Sequence, residues 1–443
     1  MHTNPKTPAI ARRTLVLTVA IVVSVMLLAA KPSQAAETVI YSQTSAAIYP
    51  ESDLVSDSNG VLYGTTRAGG IDNAGAVFSL TPPAKGQTSW TEAVLYSFQG
   101  GTDGDLPTAG LAADGDGGFF GVTSSGGGGP CVFGSYSGCG VVFHLTPPAQ
   151  GQTNWTETVL YRFQGPDGNS PLALVTLDSA TGVLYGTTYF GGASNAGTVF
   201  ALTPPAEGQT NWTESVLYSF TGANDGGYPF AYVTAGANGS LYGTTTTGGF
   251  TGNGTVFLLT PPTEGETNWT ETVLYSFHGW GYCDAGYPDA GLIADTSGNL
   301  YSTTAGGGCN NFGTVFELSP PSGGQTSWTE TILYAFAGGK DGAVATNDII
   351  MDANGAIYST TAAGGKSNNG MAFKLTPPGA GETAWTEKIL WSFKGSSGDG
   401  AVPYSGLTVG KVGKKVVLFG DTYDGGSNDY GVVYEITGSG FAP

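Results

Sequence analysis

Residues 268–277 read NWTETVLYSF, and close variants stand at 154–163 (NWTETVLYRF) and 211–220 (NWTESVLYSF). Residues 37–42, ETVIYS, are a truncated copy that lacks the Trp. Working outward, the Trp of this stretch recurs as Trp90, Trp155, Trp212, Trp269, Trp328 and Trp385, spaced by 65, 57, 57, 59 and 57 residues. A second marker, LYGTT or a variant, is centred on Tyr63, Phe120, Tyr185, Tyr242, Tyr301, Tyr358 and Phe419. There are therefore seven units of the length of a propeller blade, but only six complete Trp-containing stretches.

The unit around 290–336 shows four strands: AGLIAD (290–295), LYSTT (300–304), GTVFELSPP (313–321) and WTETILYAF (328–336). We name them a to d from the axis outward. Asp295 and Gly298 suit a tight turn between the first two. The double proline ends strand c because it has no N–H to donate. In strand c, Phe and Leu recur two apart (Phe78/Leu80, Phe143/Leu145, Phe200/Leu202, Phe316/Leu318) around a freely varying residue. One face is thus buried more strictly than the other. Strand a, built here of small residues, suits the crowded axis. Strand d, longest and richest in aromatics, suits the rim.

The missing seventh strand d is the N-terminal ETVIYS. The pattern predicts an all-β, seven-bladed β-propeller of four-stranded blades. Its ring is closed by the N-terminal strand, which supplies the outer strand of the last blade by pairing with GVVYEITG (431–438), so that Val39 lies near Tyr434. Closure removes a sticky strand edge. An open solenoid gives no reason for the split unit. With 73 glycines and 24 prolines in 443 residues, turns are favoured over long helices.

Lys6, Arg12 and Arg13 precede an apolar run, Thr14 to Ala30, and then the small residues around Ala35. Residues 1–36 read as a secretory signal peptide, leaving 37–443 as a single propeller domain. An uncleaved N-terminal anchor is the alternative. No other stretch reads as a membrane span. A net charge of −19 repels phosphate backbones and anionic membranes, so nucleic acid is excluded as a partner.

GVLYGTTYFGGASNAGTVFAL (182–202) and GSLYGTTTTGGFTGNGTVFLL (239–259) carry a family likeness. The pattern resembles the Gloeobacter/Verrucomicrobia (GloVer) tandem repeat of choice-of-anchor surface proteins. That resemblance implies an exported bacterial repeat protein and assigns no reaction. Members carry alternative C-terminal sorting signals. The GSGFAP ending shows neither a hydrophobic tail nor a sorting motif, which favours a secreted or periplasmic protein.

Length variation marks one face. The c–d connection is constant, whereas the second b–c loop is eight residues longer and the d–a stretch before the fifth blade gains two. Binding loops diversify in this way on a rigid scaffold. Cys131 and Cys139 flank the first insertion; Cys283 and Cys309 lie in the lengthened d–a loop and the next b–c loop. Of the three pairings open to four cysteines, proximity selects Cys131–Cys139 and Cys283–Cys309, in an oxidising compartment. No C-x2-C spacing supports zinc.

Candidate binding residues are Trp280, Tyr282 and Asp284 of HGWGYCD (278–284), with Tyr189, Phe190, Phe250, Phe133 and Tyr136 from neighbouring loops. Flat apolar faces beside acceptors suit a sugar ring. The plainer reading is that these aromatics cover the disulfide-pinned loops. An Asp-Gly theme recurs at Asp103, Asp167, Asp225, Asp341 and Asp399, with Asp284 as a variant. It reads as a turn dipeptide; a carboxylate ring for calcium is the alternative, without the D-x-D-x-D spacing of a dedicated site. No metal or other cofactor is expected. The nucleophile elbow, zinc-helix and phosphate-loop motifs are absent. We therefore expect an exported, monomeric, non-catalytic propeller that binds an extracellular ligand, a glycan or another surface partner. The alternative is a secreted carbohydrate-active hydrolase or lyase, which requires a deep axial pocket with at least two carboxylates.

Overall fold

Ala36–Ser42 pairs antiparallel with Val432–Thr437, and Val39 lies directly opposite Tyr434. This closure is seen in a computed structural model that describes Met1, His2 and residues 34–396 and 398–443. The signal-peptide reading falls mostly on residues 3–33, outside the described residues. The chain divides into two units, Met1–Ser33 and Gln34–Pro443; every described strand belongs to the second.

Seven four-stranded antiparallel sheets form the ring as blades. In blade 4 the strands are Thr234–Ala235 (a), Leu241–Thr245 (b), Thr255–Thr260 (c) and Thr270–Ser276 (d). Blade 7 is made of Thr408–Val412, Lys415–Thr422, Val432–Thr437 and, from the other end of the chain, Ala36–Ser42. Strand a is only two residues long in the other six blades.

The repeat residues have separate physical jobs. The second Thr of LYGTT donates to the carbonyl two residues on, as in Thr66 to Ala68 (3.0 Å) and Thr422 to Asp424 (2.8 Å), and so pins the start of the b–c loop. The first Thr stitches blades together: Thr65 donates to Ala109 O of the next blade (2.8 Å), Thr187 to Ala231 O (2.9 Å) and Thr360 to Ser405 O (2.7 Å). The Gly that opens GTVF is left-handed; at Gly197 (φ 95°) a β-carbon would lie 2.5 Å from both Pro229 and Thr188 O.

Aromatic pairs fill six seams. The Phe ending strand d meets the strand c aromatic of the next blade edge-on or tilted, from Phe98–Phe143 (5.2 Å) round to Phe393–Tyr434 (5.0 Å). Each Trp packs on the strand b aromatic of the preceding blade, as in Trp269–Tyr185 and Trp90–Phe419.

Blade 7 departs from both rules. Gln43 stands buried where the other blades have Phe. Its amide nitrogen, turned toward acceptors, donates to Ala47 O (3.2 Å) and Glu92 Oε1 (3.0 Å). The absent Trp is replaced by Phe441, whose ring lies 5.1 Å from Tyr358. The tail is held by Ala353 N donating to Ala442 O (2.8 Å) and Tyr358 OH donating to Gly440 O (3.0 Å). Phe441→Ala is expected to lower stability by about 1–2 kcal/mol, less than a fully buried Phe because the ring is half-buried. Thermal melting at neutral pH checks this.

Candidate functional site

Each d–a segment carries a left-handed non-glycine residue at one shared position: Tyr49, Leu106, Ser170, Tyr228, Tyr287, Val344 and Val402, with φ between 55° and 62°. Proline follows in six of the seven. Such a conformation strains a branched residue. Its recurrence in every blade shows that it serves the fold: it reverses the chain so that the residues two and four further on face the axis.

Two rings result. The first ring is Glu51, Thr108, Leu172, Phe230, Asp289, Thr346 and Tyr404. The second is Asp53, Gly110, Leu174, Tyr232, Gly291, Asp348 and Gly406. All but Gly291 line a funnel of about 750 Å3, with Arg67, Tyr136, Tyr189, Phe190, Tyr423 and Asp424 among the residues of its wall. A β-carbon at Gly291 would come within 2.3 Å of the Tyr232 ring, so glycine is what lets that ring pack against this position. A second cavity of about 510 Å3 shares Arg67, Leu106, Tyr136 and Tyr423 and continues outward past Tyr49 and Asp105. The funnel volume is that of a small-ligand site. Strand a was expected to present small residues; Leu174, Tyr232 and the acids show that the axis is chemically varied.

Aromatic rings cluster on the wall. Tyr189 lies 5.4 Å from Tyr228 and 6.0 Å from Phe230, and Tyr423 lies 4.6 Å from Tyr49 and 5.7 Å from Tyr404. The carboxylates have distinct settings. Glu51 is paired with Arg67 at 3.1 Å. Asp53 and Asp348 lie close enough for each to influence the other's ionisation. Asp53 also accepts from Gly406 N (2.5 Å), and Asp348 from Gly291 N (2.7 Å). Burial, then the Asp53 charge, pushes Asp348 well up, because two neighbouring like charges resist ionising together. Burial raises Asp289 to about 6, although Thr246 Oγ1 donates to it (2.8 Å).

The predicted residues divide. Tyr136, Tyr189 and Phe190 are brought together in the funnel wall. Tyr136 is carried there by a hairpin in which Val132–Phe133 pairs with Tyr136–Ser137, tied by the Cys131–Cys139 disulfide. Phe250, Trp280 and Tyr282 are not among the funnel-lining residues; they are 81%, 61% and 74% exposed. Asn253 Nδ2 donating to His278 O (3.1 Å) ties their two loops together, and Cys283–Cys309 pins the second. Asp284 is buried and accepts from His278 N (2.6 Å) and Tyr275 OH (3.3 Å).

That arrangement explains the Asp-Gly theme. Asp103 accepts from Tyr96 OH (3.0 Å) and Gln99 N (2.9 Å), Asp167 from Tyr161 OH (2.6 Å) and Gln164 N (2.8 Å), and Asp341 from Tyr334 OH (2.5 Å) and Ala337 N (2.7 Å). The acids clamp the turn leaving strand d. The carboxylates that face the ligand space are others: Glu51, Asp53, Asp289, Asp348 and Asp424. Sequence reasoning missed them. Counting one and three residues beyond each loop proline would have found the first four, with the alanine of blade 6 read as its proline.

The fold and site define a closed seven-bladed propeller with a ligand-sized axial funnel. The model of the Gloeobacter/Verrucomicrobia repeat matches residues 129–351, half of the chain, and the protein belongs to this family. No curated protein matches it. Among solved structures it is similar to a Trichoderma reesei carbohydrate-active enzyme of family AA12 in its calcium form (14% identity, TM-score 0.43, covering 91% of this chain and 96% of that one). It is also similar to the polysaccharide lyase Uly1 (12%, 0.46, 91% and 92%) and to a putative 6-phosphogluconolactonase from Bacteroides uniformis (13%, 0.46, 81% and 88%). Likenesses this distant carry no argument about the chemistry of this chain.

Proposed function

We propose that residues 1–36 export the chain and that 37–443 act, as a monomer outside the cytoplasm, to bind a carbohydrate in the axial funnel. Two disulfides fit an oxidising compartment, and no helix among the described residues is long and apolar enough to cross a membrane. The carrying observation is the funnel itself: aromatic faces at Tyr189, Phe230, Tyr404 and Tyr423 stand around hydroxyl acceptors at Asp53, Asp289 and Asp348. Screening on a glycan array is the test. Tyr189→Ala is expected to weaken binding roughly 5- to 30-fold, by loss of about 1–2 kcal/mol of ring contact. Trp280→Ala, on the exposed rim, is expected to change it less. No binding by the unaltered protein to any glycan contradicts the proposal.

A second reading is a carbohydrate-active hydrolase or lyase. The favouring observation is an axial pocket lined by several carboxylates, one of which, Asp289, is raised to about 6 and so suits proton transfer near neutral pH. It predicts release of sugar ends from a bound oligosaccharide, falling at least about 100-fold in Asp289→Asn. Intact oligosaccharide after long incubation contradicts it.

A further inference from the structure

We propose that the funnel selects a sugar bearing a primary ammonium group, of the glucosamine type, and seats that cation between Asp53 and Asp348. This rests on the reading that the funnel binds carbohydrate. Arg67 is the one basic side chain lining the funnel among the described residues, and it is engaged by Glu51. Asp53, Asp289, Asp348 and Asp424 are left without a basic partner in the wall, so the funnel repels uronates and sulfated sugars and attracts cations.

The Asp53–Asp348 pair locates the cation. Each carboxyl has one oxygen tied to a backbone N–H, from Gly406 and Gly291 respectively, so both are fixed in the wall of one cavity. Burial raises both carboxyls, so the pair resists double ionisation and in the free protein protonation relieves it. A primary ammonium offers three donors and fills the same role. Tyr232, in the same ring of residues, adds an aromatic face for the cation. Tyr189 and Phe230 in the wall offer flat contact for the sugar ring. An N-acetyl group carries no charge and leaves that proton in place.

Isothermal titration at about pH 6, where the amine is largely protonated, tests this with a glucosamine tetramer, its fully N-acetylated form and tetragalacturonate. The glucosamine tetramer is expected to bind at least about 10-fold tighter than the N-acetylated one, and tetragalacturonate not detectably. Asp53→Asn with Asp348→Asn is expected to bring the two affinities within about threefold. A readout on the unaltered protein stands independently of how that variant folds: binding of the glucosamine tetramer releases about one proton to the buffer, seen by repeating the titration in buffers of different ionisation heat, and the N-acetylated tetramer releases none. Equal affinities with no proton release overturn this inference and leave the carbohydrate reading standing. Failure of all oligosaccharides to bind overturns both.

Discussion

Raising the pH from about 5 to about 9 lowers the melting temperature by roughly 10 °C or more, the reverse of ordinary acid denaturation. The cause is repeated at the seams. The Glu of five WTE stretches, and Glu37 of the truncated copy, is half-buried and faces the clamp Asp of the preceding blade, whereas Glu92 of the first WTE stretch accepts from Tyr41 OH (2.8 Å) and faces none. Glu157 faces Asp103, Glu214 Asp167, Glu271 Asp225, Glu330 Asp284, Glu387 Asp341 and Glu37 Asp399. One oxygen of each of these six glutamates is buried without a hydrogen-bond partner among the described residues. Burial first, then the Asp charge, raises them to about 7, or about 8 for Glu330 and Glu37. Phenols of the preceding strand d also face them, as Tyr96 faces Glu157; Arg162 and Lys394 pull Glu157 and Glu37 partly back.

Because the folded values lie above the unfolded value of 4.5, the contribution is fully present below about pH 4.5 and lost as pH rises through about 7 to 8. With solvent screening it amounts to about 1–2 kcal/mol per seam, roughly 6–12 in all, comparable with the whole stability of a domain. Asp114, Asp295 and Asp352 act in the opposite sense. Several donors hold them low against burial, so their contribution fades below about pH 4. Stability should therefore peak near pH 5. Glu271→Gln is expected to raise the melting temperature at about pH 9 and leave it nearly unchanged at pH 5. A profile that is flat or rises with pH contradicts the account.

A chain beginning at Gln43, without the closing strand, should fail to melt cooperatively. It loses the packing of Val39 in one core cluster and of Ile40 and Tyr41 in the next, roughly 1–2 kcal/mol each for partly buried groups. It also leaves the outer edge of Val432–Thr437 open to other chains. Together these amount to roughly 5 kcal/mol or more of a total near 5–15. A synthetic peptide of residues 35–42 should restore a cooperative transition whose midpoint rises with peptide concentration. A shortened chain that melts like the full one contradicts the role of closure.

Blade number, closure and both disulfides were legible in the sequence because they depend on counts and spacings. Seven Tyr/Phe markers against six Trp stretches leave one strand unaccounted for, and the Val39–Tyr434 pairing completes it. The funnel was not legible for the opposite reason. Glu51, Thr108, Leu172, Phe230, Asp289, Thr346 and Tyr404 occupy one structural position with several different chemistries, so no repeat signal marks them. AGLIAD, the stretch taken to represent strand a, is also the blade whose axial position is Gly291. Phe441 escaped because it lies outside the repeat, although it occupies the place of the Trp that ETVIYS lacks. Conversely, the aromatic-rich HGWGYCD stood out because it is unique, but Trp280 and Tyr282 lie exposed and outside the funnel lining.

The axial rings, and not the rim, form the proposed ligand site. The most direct measurement is a crystal structure of the protein with an oligosaccharide that it binds in solution. The expected result is a sugar ring against Tyr189 or Phe230, with its polar groups directed at Asp53, Asp289 or Asp348. An empty funnel, with the sugar resting on Trp280 and Tyr282, contradicts it.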